Sequence, residues 1–63
     1  MKPPKIRMAY NGSGKLEYLG KRIDRMDGTF LYNISKLIWD GTTLTDVYDP
    51  QQARWEDRDD LDW

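Results

Sequence analysis

Apolar and polar residues alternate along several stretches of the chain, and this period-two pattern predicts β-strands with one buried face. The alternating sets are Ile6, Met8 and Tyr10; Phe30, Tyr32 and Ile34; and Thr43, Thr45 and Val47. A further strand-like stretch runs through Leu16, Tyr18 and Ile23. The pattern predicts four strands, at about residues 4–10, 15–26, 29–39 and 42–48.

Glycine-containing turns separate these predicted strands. Asp27-Gly28 and Asp40-Gly41 each stand between strand-like flanks, and Asn11-Gly12-Ser13-Gly14 makes a third loop. Asp-Gly pairs favour the type I′ hairpin turn, because both central residues of that turn need a positive φ. Short hairpin turns join neighbouring strands, so we expect a four-stranded antiparallel meander.

The apolar phase slips once in each of the two long strands, at Gly20 and near Ser35. Such a slip predicts a β-bulge, which bends the strand that carries it. We therefore expect an all-β fold with a small helical contribution. The meander would curl into a bent sheet or a small open barrel, similar in shape to SH3 or OB barrels. Shape of this kind does not assign a function.

The last part of the chain changes character at Asp49-Pro50-Gln51-Gln52. An Asp cap, a proline at the first helical position and a glutamine three residues after the cap predict a short helix, docked on the sheet through Trp55. The acids that follow oppose the helix dipole and disfavour continuation. We expect one β domain at residues 1–56 and an acidic, flexible tail at residues 57–63, whose removal leaves the fold nearly as stable.

Composition narrows the chemistry. The 63 residues include no cysteine and no histidine, which removes thiolate nucleophiles, imidazole bases and thiolate zinc sites. A domain this small has little room for a dry carboxylate pair. We predict a protein that is not an enzyme and uses no metal or other cofactor. No apolar run approaches the roughly 20 residues that span a bilayer, and no signal-peptide pattern is present, so we expect a soluble, cytoplasmic protein.

Charge is divided unevenly along the chain. Residues 1–36 carry eight lysines or arginines and three acids, a net charge of +5, whereas residues 37–63 carry two arginines and eight acids, a net charge of −6. Such a division is typical of proteins with polar partners. The same division also fits an interpretation without any partner, in which the two halves attract each other and keep a small protein in solution.

The interpretation we favour is a protein-binding module, a small regulator or inhibitor of a larger protein, encoded by a phage or another mobile element. Its partner would present a basic or apolar groove to the acidic tail, with acids supplying encounter rate and aromatic residues supplying affinity. Trp39 either joins this surface or caps the end of the sheet. Edge strands can also pair two copies into a homodimer. The predicted partner-binding residues are Trp39, Trp55, Asp57, Asp59, Asp60, Leu61, Asp62 and Trp63.

The alternative is a nucleic-acid-binding barrel. Basic residues with interleaved tyrosines on the first hairpin suit a single strand, since charge tracks the backbone and aromatic rings stack on bases. The overall net charge of −1 disfavours this alternative, because nucleic-acid-binding domains are usually clearly basic. The residues concerned are Lys5, Arg7, Tyr10, Lys15, Tyr18, Lys21, Arg22 and Arg25.

Overall fold

A computed structural model describes residues 2–63 of the chain and contains five strands followed by a 3₁₀ helix. The elements are β1 (Ile6–Tyr10), β2 (Leu16–Asp24), β3 (Phe30–Asp40), β4 (Thr43–Val47), β5 (Gln51–Ala53) and the 3₁₀ helix (Trp55–Asp60). Neighbouring strands are antiparallel, in the order β1-β2-β3-β4, and β5 also pairs with β3. The predicted all-β meander is confirmed. It is an open sheet, 41 × 23 × 15 Å overall, and not a closed barrel.

Three hairpin turns join β1 to β4 at the predicted positions, but none of them is type I′. Gly14, Gly28 and Gly41 have positive φ, and no other type of residue does among residues 2–63. A type I′ turn would require a positive φ at Asp27 or Asp40 as well. In the second hairpin Gly28 N–H donates to the Arg25 carbonyl at 3.1 Å, which makes a three-residue loop ending in a left-handed glycine.

Side chains reinforce the first two turns. The Asn11 carboxamide oxygen accepts hydrogen bonds from the backbone N–H groups of Ser13 and Lys15. The Asp27 carboxylate accepts from both the backbone N–H and the hydroxyl of Thr29. These bonds from Thr29 hold the pKa of Asp27 below its ordinary value. In each of these two turns, a glycine is therefore accompanied by an Asn or Asp side chain that accepts a hydrogen bond from the backbone N–H two residues later.

The bulges lie elsewhere than predicted. Pairing of β2 with β3 is regular from Tyr18–Lys36 to Asp24–Phe30, so neither Gly20 nor Ser35 interrupts it. One register shift falls where β1 meets the start of β2, and Glu17 is the extra residue there. The other falls between β3 and β4, where Thr45 is the extra residue. The odd apolar steps at Gly20 and Ser35 arise because apolar side chains lie on both faces of these regularly paired strands.

The predicted helix start at Asp49-Pro50 is wrong, because β5 lies there. Leu37 pairs with Val47 and Ile34 pairs with Gln51, so two residues of β3 face the three residues that connect β4 to β5. Because so few residues connect them, β4 and β5 lie along the same edge of β3 as one interrupted strand. Pro50 lacks the N–H that an unbroken ladder would use, which suits the interruption.

Residues 54–63, the C-terminal segment, fold back over one face of the sheet. The buried core of the described residues consists of Tyr18, Tyr32 and Ile34. Packed against it are Ala9, Ala53, Trp55, Leu61 and Trp63. Leu61 and Trp63, in the tail expected to be flexible, thus find apolar contacts within the chain itself. Within residues 2–63, no helix has the length and apolar character needed to cross a membrane.

Candidate interaction surfaces

The two faces of the sheet are used differently. Strand alternation and register place one set of side chains on the face beneath the C-terminal segment, the covered face. The covered face includes Ala9, Tyr18, Gly20, Tyr32 and Ile34. The opposite set forms the open face. Among residues 2–63, none of the residues that pack against the core lies on this face. The open face includes Ile6, Met8, Leu19, Lys21, Ile23 and Leu31.

Aromatic contacts attach the C-terminal segment to the covered face. The Trp55 ring lies 5.9 Å from the Tyr32 ring, centroid to centroid, at a tilt of 59°. Trp63 contacts Tyr18 at 6.2 Å and stacks on Tyr48 at 6.0 Å. Tilted and offset arrangements of this kind add to the burial of the rings. Trp55 and Trp63, predicted to contact a partner, therefore pack against the protein's own core and remain half-buried.

Gly20 is the reason that Trp55 can approach the sheet so closely. A Cβ atom at residue 20 would lie 2.7 Å from the Trp55 ring and 3.2 Å from the Tyr32 ring. Real carbon atoms do not approach to 2.7 Å without displacement of one of them. A glycine in mid-strand is otherwise unfavourable, so its place here is explained by the indole above it.

Arg58 lies at the centre of the C-terminal segment. Its guanidinium is 4.7 Å from the Trp55 ring centroid and 5.8 Å from that of Tyr18. It donates to the Trp55 carbonyl at 3.0 Å, while the Trp63 indole N–H donates to the Arg58 carbonyl at 3.0 Å. Its Nε is buried without a hydrogen-bond partner among residues 2–63. Attraction to two ring faces offsets the desolvation of this cation.

The acids of the C-terminal segment face outward. Their residues are exposed: Glu56, Asp57, Asp59, Asp60 and Asp62. In the part of the chain that the structure describes, they and other residues form no group of three or more that could hold a metal ion. Burial, helped by the nearby Asp59 carboxylate, raises the pKa of Tyr18 to about 12. The exposed acids thus lie on a segment that packs against the sheet, and its apolar residues Leu61 and Trp63 are half-buried.

Trp39 lies at the end of the sheet where β2 begins. It is half-buried, and its indole N–H donates to the Leu16 carbonyl at 2.7 Å. The Lys15 ammonium is 5.9 Å from the ring centroid. These contacts support the second of the two expectations for Trp39, in which it caps the end of the sheet.

The residues predicted to bind nucleic acid do not share one surface. Arg7 donates from Nε to the Tyr32 hydroxyl at 3.1 Å, and Tyr18 is buried. Arg22 bonds the Asp24 carboxylate at 2.7 Å and the Pro3 carbonyl. Lys21 and Tyr10 belong to the other side of the sheet, while Lys5 and Arg25 are exposed near its end. Neighbouring strand residues point to opposite faces, so the basic residues and tyrosines of β1 and β2 are divided between the two faces of the sheet.

A cleft of about 550 Å³ opens on the covered side, beside the C-terminal segment. Its lining combines two arginines, two acids and aromatic rings: Pro3, Arg7, Phe30, Tyr32, Arg54, Trp55, Glu56 and Asp57. A smaller depression of about 330 Å³ on the open face is lined by Leu19, Lys21, Asn33, Ser35 and Pro50. The mixed charges of the larger cleft favour neither anions nor cations.

The open face carries apolar side chains in solvent. Ile6 is 47% exposed and Met8 is 53% exposed. Met8 lies opposite Leu19, and Ile23 lies opposite Leu31, so a cross-strand apolar pair stands on each side of Lys21. The alternating pattern of β1 did not indicate which of its two faces would be covered. The informative residue is in the other set, where Gly20 leaves room for the Trp55 ring.

No protein-family model matches the chain, and neither the curated proteins nor the solved structures contain a significant match to it.

Proposed function

We propose that this protein is a binding module that regulates or inhibits a larger protein in the cytoplasm, and that the partner docks on the open face of the sheet. The observation that carries the proposal is the contrast between the two faces. One is covered by the C-terminal segment, whereas the other leaves Ile6 and Met8 about half exposed beside three further apolar residues. Clustered exposed apolar side chains are typical of interaction sites.

Charge narrows the kind of partner. Lys21 is exposed and lies opposite Ile6, between Leu19 and Ile23 on the same strand, so it stands in the middle of the apolar residues. A surface that buries this ammonium has to supply a carboxylate, since an unpaired buried charge is costly. The partner we propose is therefore a protein with an apolar surface that carries an acid at its centre.

A second copy packed face to face fits this surface less well. In a two-fold symmetric contact the same patch meets itself, so residues at its centre face their own copies. Lys21 would then approach another Lys21, and two like charges would lose solvent together. We therefore propose that the partner of this face is a different protein and not a second copy.

The experiment compares two reversals of exposed charge. The wild-type protein, Lys21→Glu and Asp60→Lys are each used to capture partners from cells that naturally express the chain. Candidate partners are purified and their affinities for all three proteins are measured by isothermal titration calorimetry. We expect Lys21→Glu to weaken binding at least tenfold and Asp60→Lys to leave it within about twofold.

The opposite ranking would refute the open face and restore the acidic segment as the binding surface. The same three proteins also test whether the open face binds nucleic acid. The three proteins are titrated against a labelled single-stranded DNA and a single-stranded RNA, followed by fluorescence anisotropy. Sub-micromolar, salt-sensitive binding that Lys21→Glu abolishes would replace the protein partner by a nucleic acid.

A further inference from the structure

The exposed apolar residues concentrate on one edge of the sheet. Large apolar side chains that are at least two-fifths exposed, among residues 2–63, are Ile6, Met8, Tyr10, Met26, Leu44 and Val47. Three of these six belong to β1. Within the described residues β1 pairs with β2 on one side, and no other strand pairs with its second side. An apolar edge strand without a covering element is a ready template for another strand.

The backbone of β1 is oriented for such pairing. Arg22 N–H donates to the Lys5 carbonyl at 2.8 Å, and Asn11 N–H donates to the Lys15 carbonyl at 2.8 Å. Backbone groups alternate in direction along a strand. The odd-numbered residues of β1 therefore bond to β2, and the backbone groups of Ile6, Met8 and Tyr10 point away from the sheet.

The free edge is regular along its whole length. The extra residue of the nearby bulge, Glu17, belongs to β2, so β1 itself has no inserted residue. The Tyr10 hydroxyl lies 3.7 Å from the Met8 sulfur, which places both side chains on the open face. Pro3 and Pro4 bond through their carbonyls to Arg22 and Tyr32 of the covered face, so the preceding residues turn away from this edge.

We propose that two copies of this protein form a symmetric dimer by antiparallel pairing of β1 with β1, with the two-fold axis at Met8. In this register Ile6 lies opposite Tyr10 of the second copy, and Met8 lies opposite Met8. All three outward-pointing residues pair, giving about six main-chain hydrogen bonds. The aliphatic–aromatic pair between Ile6 and Tyr10 is a favourable cross-strand contact.

Charge selects this register over its neighbour. With the axis at Met8, Arg7 lies opposite Ala9 of the second copy, and Lys5 lies opposite Asn11. Moving the axis to Arg7 would place Arg7 directly opposite Arg7, and like charges in that position are destabilising. Moving it to Ala9 would leave Ile6 without a partner in the second β1 strand and lose about two of the six hydrogen bonds. The register with the greatest overlap is therefore also the one that keeps the cations apart.

The dimer continues the sheet sideways and leaves the rest of the open face accessible. It therefore does not depend on the function proposed above, although it would place two open faces side by side. Other free edges fit less well. The residues of β4 are separated from β5 by Pro50, and β4 carries Asp46.

Sedimentation velocity over micromolar to millimolar concentrations tests the proposal with the purified chain. We expect a concentration-dependent dimer for the wild type and an at least tenfold weaker dimer for both Met8→Lys and Met8→Glu, because like charges would meet at the axis. An equimolar mixture of the two variants should dimerise again. Leu44→Lys, the same change at an exposed apolar residue of β4, should dimerise as the wild type does.

A wild type that stays monomeric throughout this range would overturn the proposal. So would a Met8→Lys protein that dimerises normally, or a mixture that stays monomeric. Amide hydrogen exchange of the wild type is a second readout that needs no variant. Exchange at Ile6, Met8 and Tyr10 should slow as concentration rises, and unchanged rates at these three residues would contradict β1 pairing.

Discussion

At the scale of single residues, Gly20 carries a large steric requirement. We expect Gly20→Ala to lower the free energy of unfolding by about 1–3 kcal/mol, because the added methyl group overlaps the Trp55 ring. Urea denaturation followed by tryptophan fluorescence measures this change. Gly12→Ala is the matched control, since a Cβ there would meet nothing within 4 Å. Equal stability of the two variants would mean that the indole does not lie over Gly20.

Tyr18 links stability to alkaline pH. Its folded-state pKa of about 12 lies above the ordinary value of 10, chiefly through burial. The neutral phenol is therefore favoured in the fold, and its contribution is fully present below pH 10 and lost as pH rises through 12. Over this window we expect roughly 2–3 kcal/mol of stability to disappear.

Tyr18→Phe is the control for that titration. The variant cannot ionise at this position, so its loss of stability between pH 10 and 12 should be smaller by the amount attributed to Tyr18. Chemical denaturation at a series of pH values provides the comparison. A pH dependence identical to that of the wild type would show that Tyr18 titrates as a solvent-exposed tyrosine.

Sequence reasoning identified some core residues and missed others for a physical reason. Of the alternating set in β3, Tyr32 and Ile34 are buried, whereas Phe30 is half-buried. Trp55, expected to dock on the sheet, packs against this core. Ala9 and Gly20 were missed because small residues signal a core only when the large group above them is known. Arg58 was missed because a cation between two aromatic rings has no local pattern.

At the scale of the elements, the turns depend on their glycines. Gly28 has a φ of 86°, where a β-branched side chain is strained, and no other atom crowds its Cβ position. We expect Gly28→Val to cost more than about 1 kcal/mol through the backbone alone. Gly28→Asn should cost less, because asparagine tolerates positive φ. Thermal denaturation of both variants would test this, and equal melting temperatures would contradict it.

Strand boundaries were predicted well because they depend on local chemistry. The period-two stretches and the positive-φ glycines limit each hairpin from both ends, as at Asp27-Gly28. The β5 strand was not predictable in this way. Asp49-Pro50-Gln51-Gln52 has the residues of a helix start, but pairing with the free edge of β3 offers Gln51–Ala53 a ladder that the local signal does not contain.

At the scale of the whole molecule, the C-terminal segment completes a core that the sheet alone does not close. We expect Trp63→Ala to lower the free energy of unfolding by about 2–4 kcal/mol, since it removes contacts with Tyr18 and Tyr48. Removal of residues 61–63 should unfold most of the population, because domains of this size have only a few kcal/mol to lose. This reverses the expectation from sequence that residues 57–63 are dispensable.

Asp60→Ala is the control for these changes. Asp60 is exposed on the 3₁₀ helix, and surface substitutions usually change stability by less than about 0.5 kcal/mol. Circular dichroism on heating compares all three proteins. A truncated chain that melts like the wild type would show that the C-terminal segment is not part of the folding unit.

The contact between Tyr18 and Trp63 also bears on the order in which the chain folds. The hairpins join neighbouring residues and close quickly, whereas this contact waits for the closure of a long loop. The C-terminal segment should therefore dock late, after the rate-limiting barrier. In stopped-flow kinetics, Trp63→Ala would then accelerate unfolding and leave the refolding rate almost unchanged. Until that docking step, Tyr18 and Tyr32 stay in water, and the half-folded sheet has two open faces.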